Sequence, residues 1–223
     1  MGRRALPKID PALDLSGHFR EAEALPVPFD QVSLFGRVAP LEVEVGSGKG
    51  LFLAAASQAH PERDYLGIEI SFKYARFAAA RLAKLGVSNA KAVCGDGLAL
   101  FRTWIPEASL AAVHVYFPDP WWKKRHRRRR VLNDSFLKDV QRTLVTGGSL
   151  HFWTDVEEYF QSTLELIPQA TTLSGPLDVA ERPPEHDLDY RTHFERRTRL
   201  HELQYHATRL REVAKVLKDH GQR

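Results

Sequence analysis

The chemistry open to this chain is concentrated in four carboxylates and in the glycines and tryptophans beside them. Glu44 stands two residues before Gly46 in E-V-G-S-G-K-G, where Gly46, Gly48 and Gly50 alternate with Ser47 and Lys49. Glycines accept positive φ and let the backbone approach a ligand closely. The spacing is G-x-G-x-G, whereas a dinucleotide fingerprint needs G-x-G-x-x-G. An acid at this corner would repel a pyrophosphate, but it offers acceptors to a cationic amino group or a hydroxyl. The corner therefore suits a positively charged nucleoside better than a dinucleotide; glycines serving turn geometry alone are the other reading. Glu69 follows 23 residues after Gly46, near the end of the segment DYLGIEI. From the tip of a neighbouring strand its carboxylate can accept from both ribose hydroxyls. Asp96, between Gly95 and Gly97, either accepts from the amino group of a base or forms the turn.

The fourth carboxylate, Asp119, lies in FPDPWWKKRHRRRR, residues 117–130. Pro118 and Pro120 stiffen the loop and hold Asp119 in place. Asp119 can accept from the ring N–H and exocyclic amine of a guanine, and Trp121 or Trp122 can stack on a base for about 1–3 kcal/mol. Lys123, Lys124, Arg125, His126, Arg127, Arg128, Arg129 and Arg130 then place seven formal positive charges in eight residues. Such a run neutralises phosphates and releases counterions. A basic run alone is usually a solvated face; wired to the same loop as Asp119, it favours a nucleic-acid substrate.

Positioning these groups requires a strand ending at each of them. An apolar or alternating pattern predicts strands over residues 41–45, 64–70, 89–94, 111–117, 149–153, 170–174 and 197–203. Helices are expected over 49–59, before Pro61, and from Ser71 to about residue 85, where Gly86 stops it. Another should start at Asn133 and end at Gly147-Gly148, and a further one runs over 157–167 to Pro168. This alternation predicts an α/β fold: a Rossmann-like, doubly wound, mainly parallel seven-stranded sheet with helices on both faces. Residues 1–40, with five prolines, read as an N-terminal arm or capping segment packed by Leu25, Val27, Phe29 and Phe35. Residues 41–205 form the main domain and 206–223 a helical tail.

The 223 residues, 43% hydrophobic and 27% charged with net charge +4, describe a globular chain long enough for one sizeable core. A single cysteine, Cys94, excludes an internal disulfide framework, and its apolar surroundings make it a structural thiol. No Cys/His cluster has metal-ligand spacing, so no metal is expected. No apolar run is long enough to span a membrane, and the first residues lack the apolar block of a signal peptide, so a cytoplasmic protein is expected.

Taken in order, EVGSGKG from Glu44, LGIEI from Leu66, GDG around Asp96, FPDPWWKKRHRRRR, HFWTD ending at Asp155 and THFE from Thr192 resemble the bacterial tRNA (guanine-N7-)-methyltransferases. That is a family of class I methyltransferases dependent on S-adenosylmethionine. The resemblance implies methyl transfer from S-adenosylmethionine to N7 of a guanosine in the tRNA variable loop, by a monomer or a homodimer. It implies that Glu44, Gly46, Gly48, Gly50, Glu69, Asp96 and Asp119 line the cofactor pocket and that Asp119 is catalytic. It also places Lys123, Asp155, Thr192, His193, Phe194 and Glu195 on the substrate, and Arg125, His126, Arg127, Arg128, Arg129 and Arg130 on the RNA. The glycine usually found a few residues after T-x-F-E is missing from ERRTRLHELQ, a departure at the carboxyl-terminal end. N7 of guanine has a free lone pair, so the chemistry needs no general base and rests on positioning and electrostatics. Other readings are an amino-methyltransferase acting on adenine, since D-P-W-W loosely echoes a D-P-P-aromatic loop, a polyamine-forming transferase, and a non-catalytic RNA-binding sensor.

Overall fold

The computed structural model describes residues 6–177 and 206–211. Its strands are β1 (Phe19–Glu21), β2 (Leu41–Val45), β3 (Asp64–Glu69), β4 (Ala90–Cys94), β5 (Leu110–Tyr116), β6 (Leu144–Thr154), β7 (Ser174–Leu177) and β8 (His206–Arg211). They form one sheet in the order β1-β4-β3-β2-β5-β6-β8-β7. The pairings from β1 through β6 are parallel, and β8 runs antiparallel to both β6 and β7. The doubly wound sheet expected from the sequence is present, with one more strand among the described residues.

Every residue of β2 and β3 is buried, as strands covered on both faces must be. Helices α2 (Leu51–Ala59) and α3 (Phe72–Leu85) cover one face, where Phe52, Leu53, Tyr65, Leu82, Tyr116 and Trp153 cluster. On the other face lie α4 (Gly97–Thr103), α5 (Asp134–Thr143) and α6 (Glu157–Ala170). There Phe101, Phe136, Leu137, Val140, Tyr159 and Ile167 pack with Val43, Leu66, Val113 and Phe152 of the strands.

Several boundaries differ from the sequence reading for identifiable reasons. The N-terminal segment is part of the sheet: β1 pairs with β4 through Phe19–Ala92 and Glu21–Cys94. Leu25 is buried and Phe29 packs edge-on against Trp104, but Val27 is exposed and packs nothing. Helix α1 (Gln31–Phe35) completes this segment, and the adjoining Arg37 reaches the fully buried Asp64 with two nitrogens, at 2.8 and 2.9 Å. Helix α4, absent from the sequence reading, starts where Asp96 accepts from Leu98 N and Ala99 N. Helix α5 is capped by Asn133, as expected, but stops at Thr143. The chain then pairs at once, Leu144 with Leu110, and Gly147-Gly148 marks an irregularity inside β6, not a helix end. A Cβ at Gly148 would crowd three backbone carbonyl oxygens at 2.9–3.2 Å. Helix α6 continues through Pro168 for two residues, since a proline in the last turn removes little. Residues 206–211 are a strand, not a helical tail, because the free edge of β6 binds them as an antiparallel neighbour. The strand read over 197–203 lies outside the described residues.

One glycine lets α2 and α3 approach closely. Gly50, at φ +68°, precedes α2, and a Cβ there would sit 2.7 Å from Ala78 Cβ and 3.0 Å from Ala78 Cα of α3. Gly50→Ala should therefore destabilise the protein by on the order of 1–3 kcal/mol, from the left-handed φ and the crowding together. A lowered urea midpoint checks this; an unchanged midpoint would mean that α2 and α3 are free to separate.

Candidate functional site

From β2 the chain winds outward through β3 to β4, then crosses back to β5 and β6 on the other side of β2. A crevice opens at such a reversal, outside the carboxyl ends of the parallel strands. Those ends carry the residues singled out by the sequence. Glu44 and the glycine turn lie at the end of β2, Glu69 ends β3, and Asp96 follows β4. Asp119 follows β5, and Asp155 follows β6. The structure thus brings six of the expected groups to one edge of one sheet.

The glycine turn is built for close approach. Gly46, Gly48 and Gly50 all have φ between +52° and +83°. Gly46 N and Ser47 N both donate to Ile68 O, at 2.8 and 3.1 Å, which locks the turn onto β3. Glu69 Oε2 accepts from Gly48 N at 2.9 Å and its Oε1 from Ser71 N at 2.8 Å. Ser71 is the N-cap residue of α3, where the helix was expected to start, and its hydroxyl makes no capping hydrogen bond. Each Glu69 oxygen keeps a second lone pair for a ligand hydroxyl. Glu44 lies beneath the turn, buried, and among the described residues no hydrogen-bond donor meets its Oε2. Burial, and then the charge of Glu69, push the Glu44 carboxyl well above its ordinary value. A buried acid without a partner is costly, and it is matched by a donor or a cation arriving at the site. Asp96 is exposed and its Oδ1 caps α4, accepting from Leu98 N and Ala99 N, so it opens a helix where the sequence offered a turn.

The loop after β5 is strained. Phe117 and Trp121 adopt φ of +47° and +49°, conformations that cost non-glycine residues about 1–3 kcal/mol each and concentrate at functional sites. Phe117 N donates to Trp153 O at 2.7 Å, continuing the β5–β6 ladder into the loop. Asp119 is exposed at the tip. The two tryptophans have different surroundings. Trp121 is half-buried, with the Arg129 guanidinium 5.1 Å from its ring centroid and His126 edge-on at 6.0 Å. Trp122 is 69% exposed.

The basic run continues as a 3₁₀ helix, Lys124–Arg129. Lys123, Arg125, Arg127, Arg128 and Arg129 are exposed and His126 half-buried, which gives phosphate a positive surface next to Asp119. Arg127 is also 3.3 Å from Glu158. Arg130 is a correction to the sequence reading: it is buried, paired with Glu158 and unable to serve as an open RNA contact. Its signal lay in a partner 28 residues away, which a run of like charges does not reveal. Thr192, His193, Phe194 and Glu195 lie outside the described residues.

Two other features bear on the assignment. A recess of about 1050 Å³ is bounded by Glu42, Phe52, Tyr65, His114, Tyr116 and His151 among others, on the α2 face below the glycine turn. It is separate from the strand-tip crevice. In its wall Glu42 accepts from Arg63 at 2.5 Å and lies 2.8 Å from His114 Nε2. Burial opposes the Glu42 charge, but His114 and Arg63 outweigh it and hold the carboxyl below its ordinary value. No helix among the described residues is long and apolar enough to cross a membrane, and no metal-holding cluster is found among them.

Glu44 yields a test with a definite sign. The folded protein holds its proton more tightly than the unfolded chain does, so stability falls as pH rises from the ordinary carboxylate value through the raised one. Glu44→Gln should make the ligand-free protein more stable at neutral pH and flatten the fall in its stability over the range above the ordinary carboxylate value. Urea unfolding across that range checks it; an unaltered profile would contradict a protonated, partnerless Glu44.

A family model described as "Putative methyltransferase" matches residues 38–210. The chain is 53% identical over 205 residues to a tRNA (guanine-N(7)-)-methyltransferase of Rhodopirellula baltica, covering 89% of this chain and 76% of that protein. A second relative of the same name, from Sodalis glossinidius, is 38% identical over 173 residues, 76% of this chain and 71% of that one. Among solved structures, one titled an antibiotic related methyltransferase superposes with TM-score 0.54 at 17% identity, covering 81% and 90% of the two chains. The Aquifex aeolicus tRNA (m1A58) methyltransferase gives TM-score 0.50 at 19% identity over 78% of this chain and 62% of that one. These two likenesses speak to the fold. By these sequence matches, the chain belongs to the tRNA (guanine-N(7)-)-methyltransferase family.

Proposed function

We propose that this protein methylates N7 of a guanosine in the variable loop of tRNA, with S-adenosylmethionine as donor. The observation that carries the reading is the arrangement at the chain reversal: a glycine turn over a partnerless buried acid on β2 faces an Asp-bearing, basic loop on β5. The cofactor fits the residues present. Gly46, Gly48 and Gly50 let it approach the backbone, Glu44 offers an unused acceptor to its ammonium group, and Glu69 offers lone pairs to its ribose. Ile70, 75% exposed directly after Glu69, supplies an apolar surface for its base, a residue the sequence reading passed over. When bound, S-adenosylmethionine supplies a sulfonium methyl group, which N7 of guanine can take with its own lone pair.

The protein's task is then orientation. Asp119 accepts from the guanine N–H donors and stabilises the positive charge that develops on the methylated ring. It takes no proton from the base, so an exposed carboxylate suffices. Lys123 and the exposed arginines of residues 125–129 hold phosphates beside it, and Asp155, at the tip of the next strand, faces the same crevice. The partner is tRNA in the cytoplasm. Because the described site residues lie on one chain, a monomer or a homodimer can carry it.

The experiment is methyl transfer to unmodified tRNA followed by nucleoside analysis, comparing the wild type with Asp119→Asn. We expect 7-methylguanosine from the wild type, and from the variant a cofactor affinity within a few-fold but turnover lower by about 100-fold or more. Near-normal turnover in Asp119→Asn would remove that role. Trp122 is the exposed ring of the loop and is assigned to stacking on the target or a neighbouring base. Trp122→Ala should lower kcat/KM for tRNA by roughly 5- to 150-fold, the equivalent of about 1–3 kcal/mol, and Trp122→Phe should recover most of it. An alanine variant as active as the wild type would exclude stacking there.

A further inference from the structure

Arg130 closes the basic run but points inward, and its bonds gather the surroundings of Asp119 onto α6. Nε donates to Pro120 O at 2.9 Å, the carbonyl of the residue directly after Asp119. Nη2 donates to Glu158 Oε2 at 2.5 Å, and Nη1 to Ser162 Oγ at 3.1 Å. The guanidinium carbon lies 4.4 Å from the Tyr159 ring centroid. Glu158, Tyr159 and Ser162 all belong to the first half of α6, the helix that follows β6 in the chain. Tyr159 is itself tied down, its hydroxyl accepting from Leu132 N at 3.2 Å. Arg130 O in turn accepts from Asn133 Nδ2, the residue that caps α5. One residue therefore joins three elements: its side chain ties the Asp119 loop to α6, and its carbonyl meets the cap of α5.

The loop needs such a tie. It contains two non-glycine residues at positive φ, a conformation kept only where the surroundings over-determine it. Prolines stiffen it but remove backbone donors, so Pro118 and Pro120 cannot anchor it through their own nitrogens. Only an incoming donor can hold the Pro120 carbonyl, and arginine, with five N–H groups in a fixed fork, reaches carbonyl, carboxylate and hydroxyl together. The charge is matched locally: the hydrogen bond from Arg130 holds the Glu158 carboxyl below its ordinary value.

We propose that Arg130 is a positioning residue for methyl transfer, a buckle that fixes Asp119 through Pro120 and uses Glu158 on α6 as its anchor, while its exposed neighbours Arg125 and Arg128 bind phosphate. This rests on the proposed methyl-transfer reading for its catalytic arm, but its structural arm does not.

The test compares Arg130→Lys, Glu158→Gln and Arg128→Ala in the full chain, with tRNA affinity measured at several salt concentrations. Glu158 is 46% exposed, so its conservative variant keeps the fold even where the Arg130 variant does not. Glu158→Gln and Arg130→Lys should lower kcat at least about tenfold; Arg130→Lys should leave tRNA affinity and its salt slope unchanged, whereas Glu158→Gln also removes the partner of Arg127 and is read by kcat and by exchange. Arg128→Ala should do the reverse, weakening tRNA binding and reducing the slope by about one. Hydrogen exchange supplies a readout that needs no turnover. In Glu158→Gln the amides of His126 and Arg130, bonded to Lys123 O and Arg127 O, should exchange faster, while those of α5 stay unchanged. A shallower salt slope in Arg130→Lys with kcat retained would make Arg130 an RNA contact and overturn the proposal. So would unaltered kcat and unaltered exchange in Glu158→Gln. A wild type that makes no 7-methylguanosine, yet shows the exchange response, would sink the methyl-transfer reading and leave the buckle standing.

Discussion

Everything at this site depends on the parallel pairing of β2 with β5, where the order of the chain reverses. Register sets Glu44 beside Gly67 on one side and His114 on the other. The turns that leave β2 and β5 must therefore face each other across a single strand spacing, with no helix between them. Parallel strands buried on both faces tolerate little slippage, since a one-residue shift would turn every side chain over. The crevice between the glycine turn and the Asp119 loop is thus inherited from the core.

Two kinds of unfavourable local structure have been concentrated at that edge. One is electrostatic, the buried Glu44 beside Glu69; the other is conformational, the positive φ of Phe117 and Trp121. Both are retained because the surroundings enforce them. The Ile68 carbonyl holds the glycine turn, and Trp153 and Arg130 hold the loop. On the proposed function, a ligand with a cationic amino group would relieve the first, and a fixed loop would spare the second from being set up anew at each turnover. Proteins accept such costs where function needs pre-organisation.

Much of this was legible in the sequence, for physical reasons. β5 reads as an apolar run because it is buried on both faces, and β2 alternates Leu41, Val43 and Val45 with Glu42 and Glu44; both run into turn residues, so the strand tips and the acids on them could be placed. Asn133 announced its helix because an N-cap side chain is chosen for its acceptor. What was hidden depended on distant partners. Gly95-Asp96-Gly97 reads as a turn, and only the structure shows Asp96 opening a seven-residue helix. Gly147-Gly148 reads as a helix end, whereas the backbone oxygens of Leu110 and Ala111 require a missing Cβ within a strand. β1 is an edge strand and β8 lies between β6 and β7, and the pairing of each is decided by the sheet it meets. Within the basic run no local signal separates the buried Arg130 from the exposed Arg128; Glu158 does so from α6.

The central claim is that a guanine N7 is presented to a methyl donor in the crevice between β2 and β5. The most direct measurement uses the product's own reactivity: borohydride and aniline cleave RNA chains at 7-methylguanosine. Unmodified tRNA treated with the protein and S-adenosylmethionine should then break at one guanosine in the variable loop, and only when both are present. Methyl groups incorporated without scission at a guanosine, or scission elsewhere in the tRNA, would contradict the account.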